Sequence, residues 1–285
     1  MYAGSEDAFL ILNDFRLSGI SNVTFSHSQP EASKTLLVGN KINRKATGPP
    51  TVNCSFSKTY VGKDYINSLT GTVITDGHFQ YGTGILNFYD AVISKYTIST
   101  AVDGLPKISV NMDIYGGIEP GTISDLTFYI KDEENKIEQI SPTGIELTYD
   151  NKASAIQSFN YTASFDYVPT YEIGVKGAAK VQLKNPINIS SNASLQLLEQ
   201  EFESVTGSLN LLNEEFFDVA AFIPTAPQGY TNQKSISLQI KGETGNVLDT
   251  YSVPQALLQS QNISAAPNDT VNLSLSHLGY MFADY

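Results

Sequence analysis

Asp90-Ala91-Val92-Ile93-Ser94-Lys95-Tyr96-Thr97-Ile98-Ser99-Thr100-Ala101 is followed, after Val102-Asp103-Gly104-Leu105-Pro106, by Lys107-Ile108-Ser109-Val110-Asn111-Met112-Asp113-Ile114. Apolar and polar residues alternate in both segments, and Gly104 and Pro106 punctuate the gap. The pattern is that of two strands joined by a turn. A looser copy stands near the C-terminus, where Gln255-Ala256-Leu257-Leu258-Gln259-Ser260-Gln261-Asn262-Ile263-Ser264-Ala265-Ala266 precedes Thr270-Val271-Asn272-Leu273-Ser274-Leu275. Each copy sets Ala before two aliphatic residues, then Ile-Ser, then a Pro-containing turn and an alternating strand. A doubled strand pair of this kind predicts two related β-domains in one chain.

The doubling extends outward. Residues 156–164 match residues 20–28 without a gap, at an offset of 136. Tyr171-Glu172-Ile173-Gly174 parallels Leu36-Leu37-Val38-Gly39, and Ser204-Val205-Thr206-Gly207 repeats Ser68-Leu69-Thr70-Gly71 at the same offset of 136. Between Ile98 and Ile263 the offset is 165, which implies about 29 extra residues between Gly207 and Ala256. A period this long means domain duplication rather than a solenoid. The insert at 207–255 is expected to hold a helix at 213–220 and a hairpin from 235–240 to Val247-Leu248, turning at 241–246. The division that follows is a first β-domain at 1–118, a connector at 119–144 and a second β-domain at 145–285.

Within the first domain, residues 1–8 read as a flexible arm, and strands are expected at 9–12, 20–28, 35–38 and 51–57. Residues 40–50 read as a basic loop, and 63–71 as one or two helical turns stopped by Gly71. Residues 76–84 are turn-rich, and 116–121 close the unit. In the connector, 126–130 reads as a strand, 131–136 as a solvated charged turn and 141–144 as the end.

Composition agrees with an all-β chain carrying one or two short helices, arranged as two tandem related β-sandwich domains. At 41% hydrophobic and 16% charged residues, both halves can bury a core. Sixteen Tyr and fourteen Phe, with abundant Thr, Ile and Val, favour strands. No apolar run approaches the ~20 residues a membrane helix needs, and no signal pattern opens the sequence, so no membrane partner is expected. The eight Asn-x-Ser/Thr triplets, Asn22 and Asn192 among them, then reflect Asn and Ser richness.

Charge restricts function. The net charge is −12, and Arg16 and Arg44 are the only arginines. Nucleic-acid binders neutralise phosphates with Lys and Arg, and the densest basic stretch here is Asn40-Lys41-Ile42-Asn43-Arg44-Lys45. Tight DNA binding is not expected, whereas a surface that repels DNA is allowed.

No catalytic constellation assembles, so no enzyme, cofactor or metal is expected. His27, His78 and His277 lie far apart, and His27 shares the apolar register of its strand with Val23 and Phe25, as a core histidine would. Cys54 falls inside an alternating run and reads as a small buried hydrophobe. Gly82-Thr83-Gly84 lacks the helix and lysine of a phosphate loop. Glu214-Glu215 reads as a helix N-terminus and Asp132-Glu133-Glu134 as a turn.

What remains is surface. Ile108, Val110, Met112 and Ile114 oppose Ser109, Asn111 and Asp113 on one strand; Val271, Leu273 and Leu275 oppose Asn272, Ser274 and Ser276 on its counterpart. A sheet wetted by Ser and Asn, almost without Lys or Arg, is non-stick. Its edges need a neighbour, and two modules in series invite a closed ring.

In residues 91–99 with the Gly-Leu-Pro turn, in 108–114 ending at Gly116-Gly117, and in 256–266 with 271–279, the chain resembles the tail tube (major tail) proteins of long-tailed bacteriophages that carry two tandem tube domains. The resemblance covers nearly the whole chain through pattern and duplication. It implies β-sandwich tube domains with a flanking helix, whose inner strands line a lumen. It further implies a homotrimeric, pseudo-sixfold ring, stacked rings, contacts with other tail proteins and an acidic, non-stick conduit through which DNA passes without tight binding. Ser109, Asn111, Asp113, Asn272, Ser274 and Ser276 would then face the lumen, and the arm or the 40–50 loop would clasp the next ring. The location implied is the virion tail, after synthesis in the host cytoplasm. The alternative from composition alone is a secreted or surface β-sandwich binding module, an adhesin or carbohydrate binder.

Overall fold

The computed structural model describes residues 8–13, 15–17, 19–29, 31–35, 42–46, 50–102, 104–122, 140–149, 152–154, 157–173, 177–197, 234–264 and 271–282. The expected arm at 1–7, strand residues 36–38, the strand at 126–130, the charged turn at 131–136, the repeat at 204–207 and the helix at 213–220 lie outside them. Among the described residues the chain is all-β with one short helix.

The first nine strands are β1 (Ala8–Leu12), β2 (Phe15–Leu17), β3 (Ile20–Ser28), β4 (Glu31–Thr35), β5 (Ile42–Ala46), β6 (Thr51–Thr59), β7 (Val73–Tyr81), β8 (Gly84–Ala101) and β9 (Lys107–Gly121), with helix α1 (Tyr65–Leu69) after β6. The next nine are β10 (Ile140–Tyr149), β11 (Lys152–Ser154), β12 (Ser158–Ser164), β13 (Tyr167–Thr170), β14 (Lys180–Leu183), β15 (Ile187–Leu197), β16 (Lys234–Gly242), β17 (Val247–Ser264) and β18 (Val271–Met281).

Pairing in the second nine repeats that in the first. β1 pairs with β2 and β7, β3 with β6, β4 with β5, β6 with β9, and β8 with β7 and β9. Likewise β10 pairs with β11 and β16, β12 with β15, β13 with β14, β15 with β18, and β17 with β16 and β18. Adding nine to each strand number converts one diagram into the other.

The long strands β8 and β17, each of 18 residues, explain how a repeat is built. The first half of β8 pairs with β7 as far as Val92, and the first half of β17 pairs with β16 as far as Ala256. The remainder of β17 pairs with β18 from Leu257 onward. Near each change of partner one non-glycine residue is left-handed: Asp90 at φ 51° and Gln255 at φ 50°. A residue in that conformation kinks and overtwists a strand, which lets it leave one sheet and enter the other. The kink brings the backbones together. A Cβ on Gly116 of β9 would lie 2.8 Å from the Tyr89 carbonyl oxygen, and one on Gly279 of β18 would lie 2.9 Å from that of Pro254. In both repeats the crowded carbonyl belongs to the residue just before the left-handed one.

Each compact unit is discontinuous. The first comprises residues 1–96, 108–137 and 165–184, the second 97–107, 138–164 and 185–285. They therefore cut across the expected division at 118 and 145. In the first unit Phe25 of β3 meets Phe79 of β7 at 5.7 Å and Phe88 of β8 at 5.8 Å, so its two sheets face each other. Ala91, Val92 and Ile93 are all buried in succession, as the kink requires. Asp64 caps α1 by accepting from Ile66 N at 3.0 Å and also accepts from the Tyr96 hydroxyl, fastening the helix to β8. Gly71, at φ 79°, follows the helix as expected. The β13–β14 hairpin packs in this unit as well, Ala178 N donating to Tyr115 O at 3.3 Å. In the second unit Tyr161 of β12 meets Tyr251 of β17 at 5.7 Å. Tyr161 occupies the position 136 residues after Phe25.

Several expectations need correction. The turn-rich reading of 76–84 gives way to strand through Tyr81. Gly77 is no turn residue: an ideal Cβ there would sit 1.9 Å from the Phe88 ring, so the glycine makes room for a core aromatic. The hairpin at 235–248 is consequently not an insert but the counterpart of β7–β8, and the extra length lies between β15 and β16. The 40–50 loop contains β5, paired with β4. Ser141 to Gly144 belong to β10, in a stretch where the register with β16 shifts, a place that tolerates Pro142. β9 continues past Gly116-Gly117 to Gly121. Tyr171 to Ile173 form no strand, and Ile173 is exposed.

Gly116→Ala is expected to destabilise the protein by about 1–3 kcal/mol in urea unfolding, because its methyl must displace backbone. Gly104→Ala, with nothing within 4 Å of the new Cβ, should fall within about 0.5 kcal/mol of wild type. Equal effects at the two positions would refute the kink-and-glycine account.

Candidate functional site

Side chains alternate across a strand, so a register places residues in ranks. In the second unit Ser158, Ser194, Ser274 and Asn262 form one rank across β12, β15, β18 and β17, and Asn160, Asn192, Ser276 and Ser260 form the next. Every one of these eight side chains is a hydroxyl or carboxamide. The opposite parity is buried: Phe159, Tyr161, Ala163, Ile189, Ala193, Leu275 and His277. The polar face holds a shallow concavity of about 410 Å³, which Ser99 of β8 also borders. The end of β8 adjoins β12 in this unit, with Thr97 Oγ1 3.1 Å from Thr162 Oγ1 and Val102 N donating to Gln157 O at 3.0 Å.

The first unit repeats the chemistry. Asn22 stands opposite Ser57, Thr24 opposite Ser55, Ser26 opposite Asn53, and Ser28 opposite Thr51. Ser21 and Ser57 hydroxyls lie 2.9 Å apart. Behind β6, Val52, Cys54 and Phe56 are buried.

All six residues singled out from the sequence lie opposite buried or half-buried strand positions where those are described. Ser109, Asn111 and Ser274 are exposed, whereas Asp113, Asn272 and Ser276 are half-buried. The register joins Ser274 and Ser276 to the two ranks of the second unit. Missed from the sequence were the contributions of β3, β6, β12 and β15. Their signal was present as Ser, Thr or Asn at every second position of 22–28, 51–57, 158–164 and 188–194, but a residue's rank follows only from pairing.

Ionisation is sparse on these rows. Burial raises the Asp113 carboxyl above its ordinary range, against a lowering hydrogen bond from Ser94. Burial pushes the Cys54 thiol up to about 12, which removes it as a nucleophile near neutral pH. His27 is exposed, not the core residue expected: β3 is paired on one side by β6, and its end receives little cover. His78 is buried, its Nδ1 2.8 Å from Asn87 Oδ1. His277 is buried on the core side of β18. No group of three or more His, Cys, Asp and Glu side chains that could hold a metal occurs among the described residues. The faces can hydrogen-bond water and polar solutes through Ser and Asn side chains that carry no charge at neutral pH. No family model matches the chain, and no curated protein matches it.

Burial lowers the His277 pKa to about 4 from 6.5. The unfolded chain therefore binds a proton at this side chain that the folded chain refuses between those values. The stability contributed by the neutral ring is complete above about pH 6.5 and is lost as pH falls to about 4, at most about 3 kcal/mol in all. His277→Gln should lose less stability than wild type between pH 7 and 4.5 in urea titrations; identical pH slopes would remove His277 as the cause.

Proposed function

We propose that this chain is a structural, self-assembling protein whose repeated polar sheets line a conduit, in the manner of a bacteriophage tail tube through which DNA passes without being gripped. The observation that carries the reading is the nine-strand pairing diagram drawn twice in one chain. The last polar-sheet strand of the first copy, β8, is paired with the first of the second, β12. A chain built of two equivalent sectors with compatible margins assembles by repeating that junction, and rotation closes such a head-to-tail series into a ring. Three chains would supply six sectors.

The polar ranks support the conduit. DNA is held by cations that displace its counterions, and the two ranks of the second unit contain none. Hydroxyls and carboxamides keep the wall hydrated while offering no net attraction to phosphate. On this reading the protein acts in the virion tail, has itself and other tail proteins as partners, and performs no catalysis.

Negative-stain microscopy of the purified chain together with native mass measurement tests the proposal. Trimers, rings or tubes are expected, with assembly increasing with concentration. A chain that stays monomeric at high concentration, including after seeding with preformed tail assemblies, would sink it.

A further inference from the structure

Deepening that reading, and resting on it, we infer that the end of β17, residues 257–264, is completed by β3 of a second copy in the register that β8 and β12 already adopt within one chain. The internal junction is specific. Phe165 N donates to Ser94 O at 2.9 Å, Thr97 Oγ1 lies 3.1 Å from Thr162 Oγ1, and Val102 N donates to Gln157 O at 3.0 Å. These three pairs fall on a single antiparallel register, hydrogen-bonded at Ser94 and Val102 and, an odd number of residues away, side chain to side chain at Thr97.

Both margins that would form the intermolecular version are open among the described residues. β17 beyond Ala256 pairs only with β18, and β3 pairs only with β6. Open edges in soluble proteins are ordinarily blunted by Lys, inward charges or Pro. Residues 20–28 and 257–264 contain no Lys, Arg, Asp, Glu or Pro. The repeat then assigns the register. β17 is β8 displaced by 165 residues, and β3 is β12 displaced by 136. Ser94 therefore maps to Gln259, Thr97 to Asn262, Phe165 to Gln29 and Thr162 to Ser26. Asn262 and Ser26 are both exposed in the single chain. In the junction they would form the facing pair that Thr97 and Thr162 form internally, joining a polar rank of one copy to that of the next.

The facing, non-hydrogen-bonded position is the one that accepts a disulfide. Full-length Ser26→Cys and Asn262→Cys chains are made separately, mixed and oxidised mildly. The buried Cys54, with its raised pKa, stays out of the reaction. A chain carrying Thr97→Cys with Thr162→Cys reports whether the facing pair is oxidisable at all. The expected result is a covalent dimer from the mixture, absent from either chain alone and several-fold weaker when Thr24→Cys replaces Ser26→Cys, since diagonal neighbours sit at about 7–8 Å. Rings or tubes in the microscope without that dimer would overturn this junction and leave the tube reading intact. Monomers by native mass with no dimer would overturn both.

Discussion

An 18-residue strand cannot belong to two facing sheets unless its backbone turns a corner, and in this chain Asp90 and Gln255 make that turn. A left-handed non-glycine residue costs on the order of 1–3 kcal/mol, and Gln suits that conformation less than Asp does. Packing offsets the cost. Ala91 and Ala256, the residues directly after the kinks, are fully or almost fully buried, and Gly116 and Gly279 give the bent backbone room that any Cβ would fill. The alanine is small because it sits where the strand folds toward its own core. The glycine is bare because the opposing carbonyl lies within 3 Å of where a methyl would go. These four residues couple each polar sheet to its covering sheet.

The same corner decides which margins stay open. Since the first half of the long strand is taken by β7 or β16, only its second half completes the polar sheet, and that half has one described partner on one side. In the first repeat the free side of β8 is filled by β12. Interleaving of the compact units follows: the last residues of β8 cluster with the strands of the second repeat, and the β13–β14 hairpin clusters with the first.

Much of this was legible in the sequence because strand alternation and repetition survive without coordinates. The 136- and 165-residue offsets located β3, β12, β8 and β17, and alternation located the polar rows of β9 and β18. The failures share a cause. Gly77 and Pro142 resemble turn signals, yet Gly77 accommodates the Phe88 ring and Pro142 occupies a register slip, both consequences of packing and pairing. Losing β7 hid its correspondence with β16, which made a repeated hairpin look like an insertion. His27 shares the parity of Phe25, but parity gives the side of a strand and not whether anything covers it. Pairing order, which assembles the ranks from four strands, depends on long-range contacts that periodicity does not encode.

An acidic chain need not place its charge where DNA would pass, and the ranks of the second unit are uncharged. The two ranks of the second unit carry no ionisable side chain, whereas alternation sets exposed Lys95, exposed Lys107 and half-buried Asp113 on the polar rows of β8 and β9, where burial biases the Asp113 carboxyl toward the neutral form. For a moving polyanion both signs of wall charge are unfavourable. Cations bind phosphates through counterion release and slow it, while closely spaced anions in a confined, low-dielectric channel oppose its entry. Neutral hydroxyls and carboxamides avoid both, and they hold a water layer by donating and accepting alike. In the proposed conduit, adding one lysine per repeat would matter far more than its share of the total charge, because the assembly multiplies it around every ring and along every stacked layer.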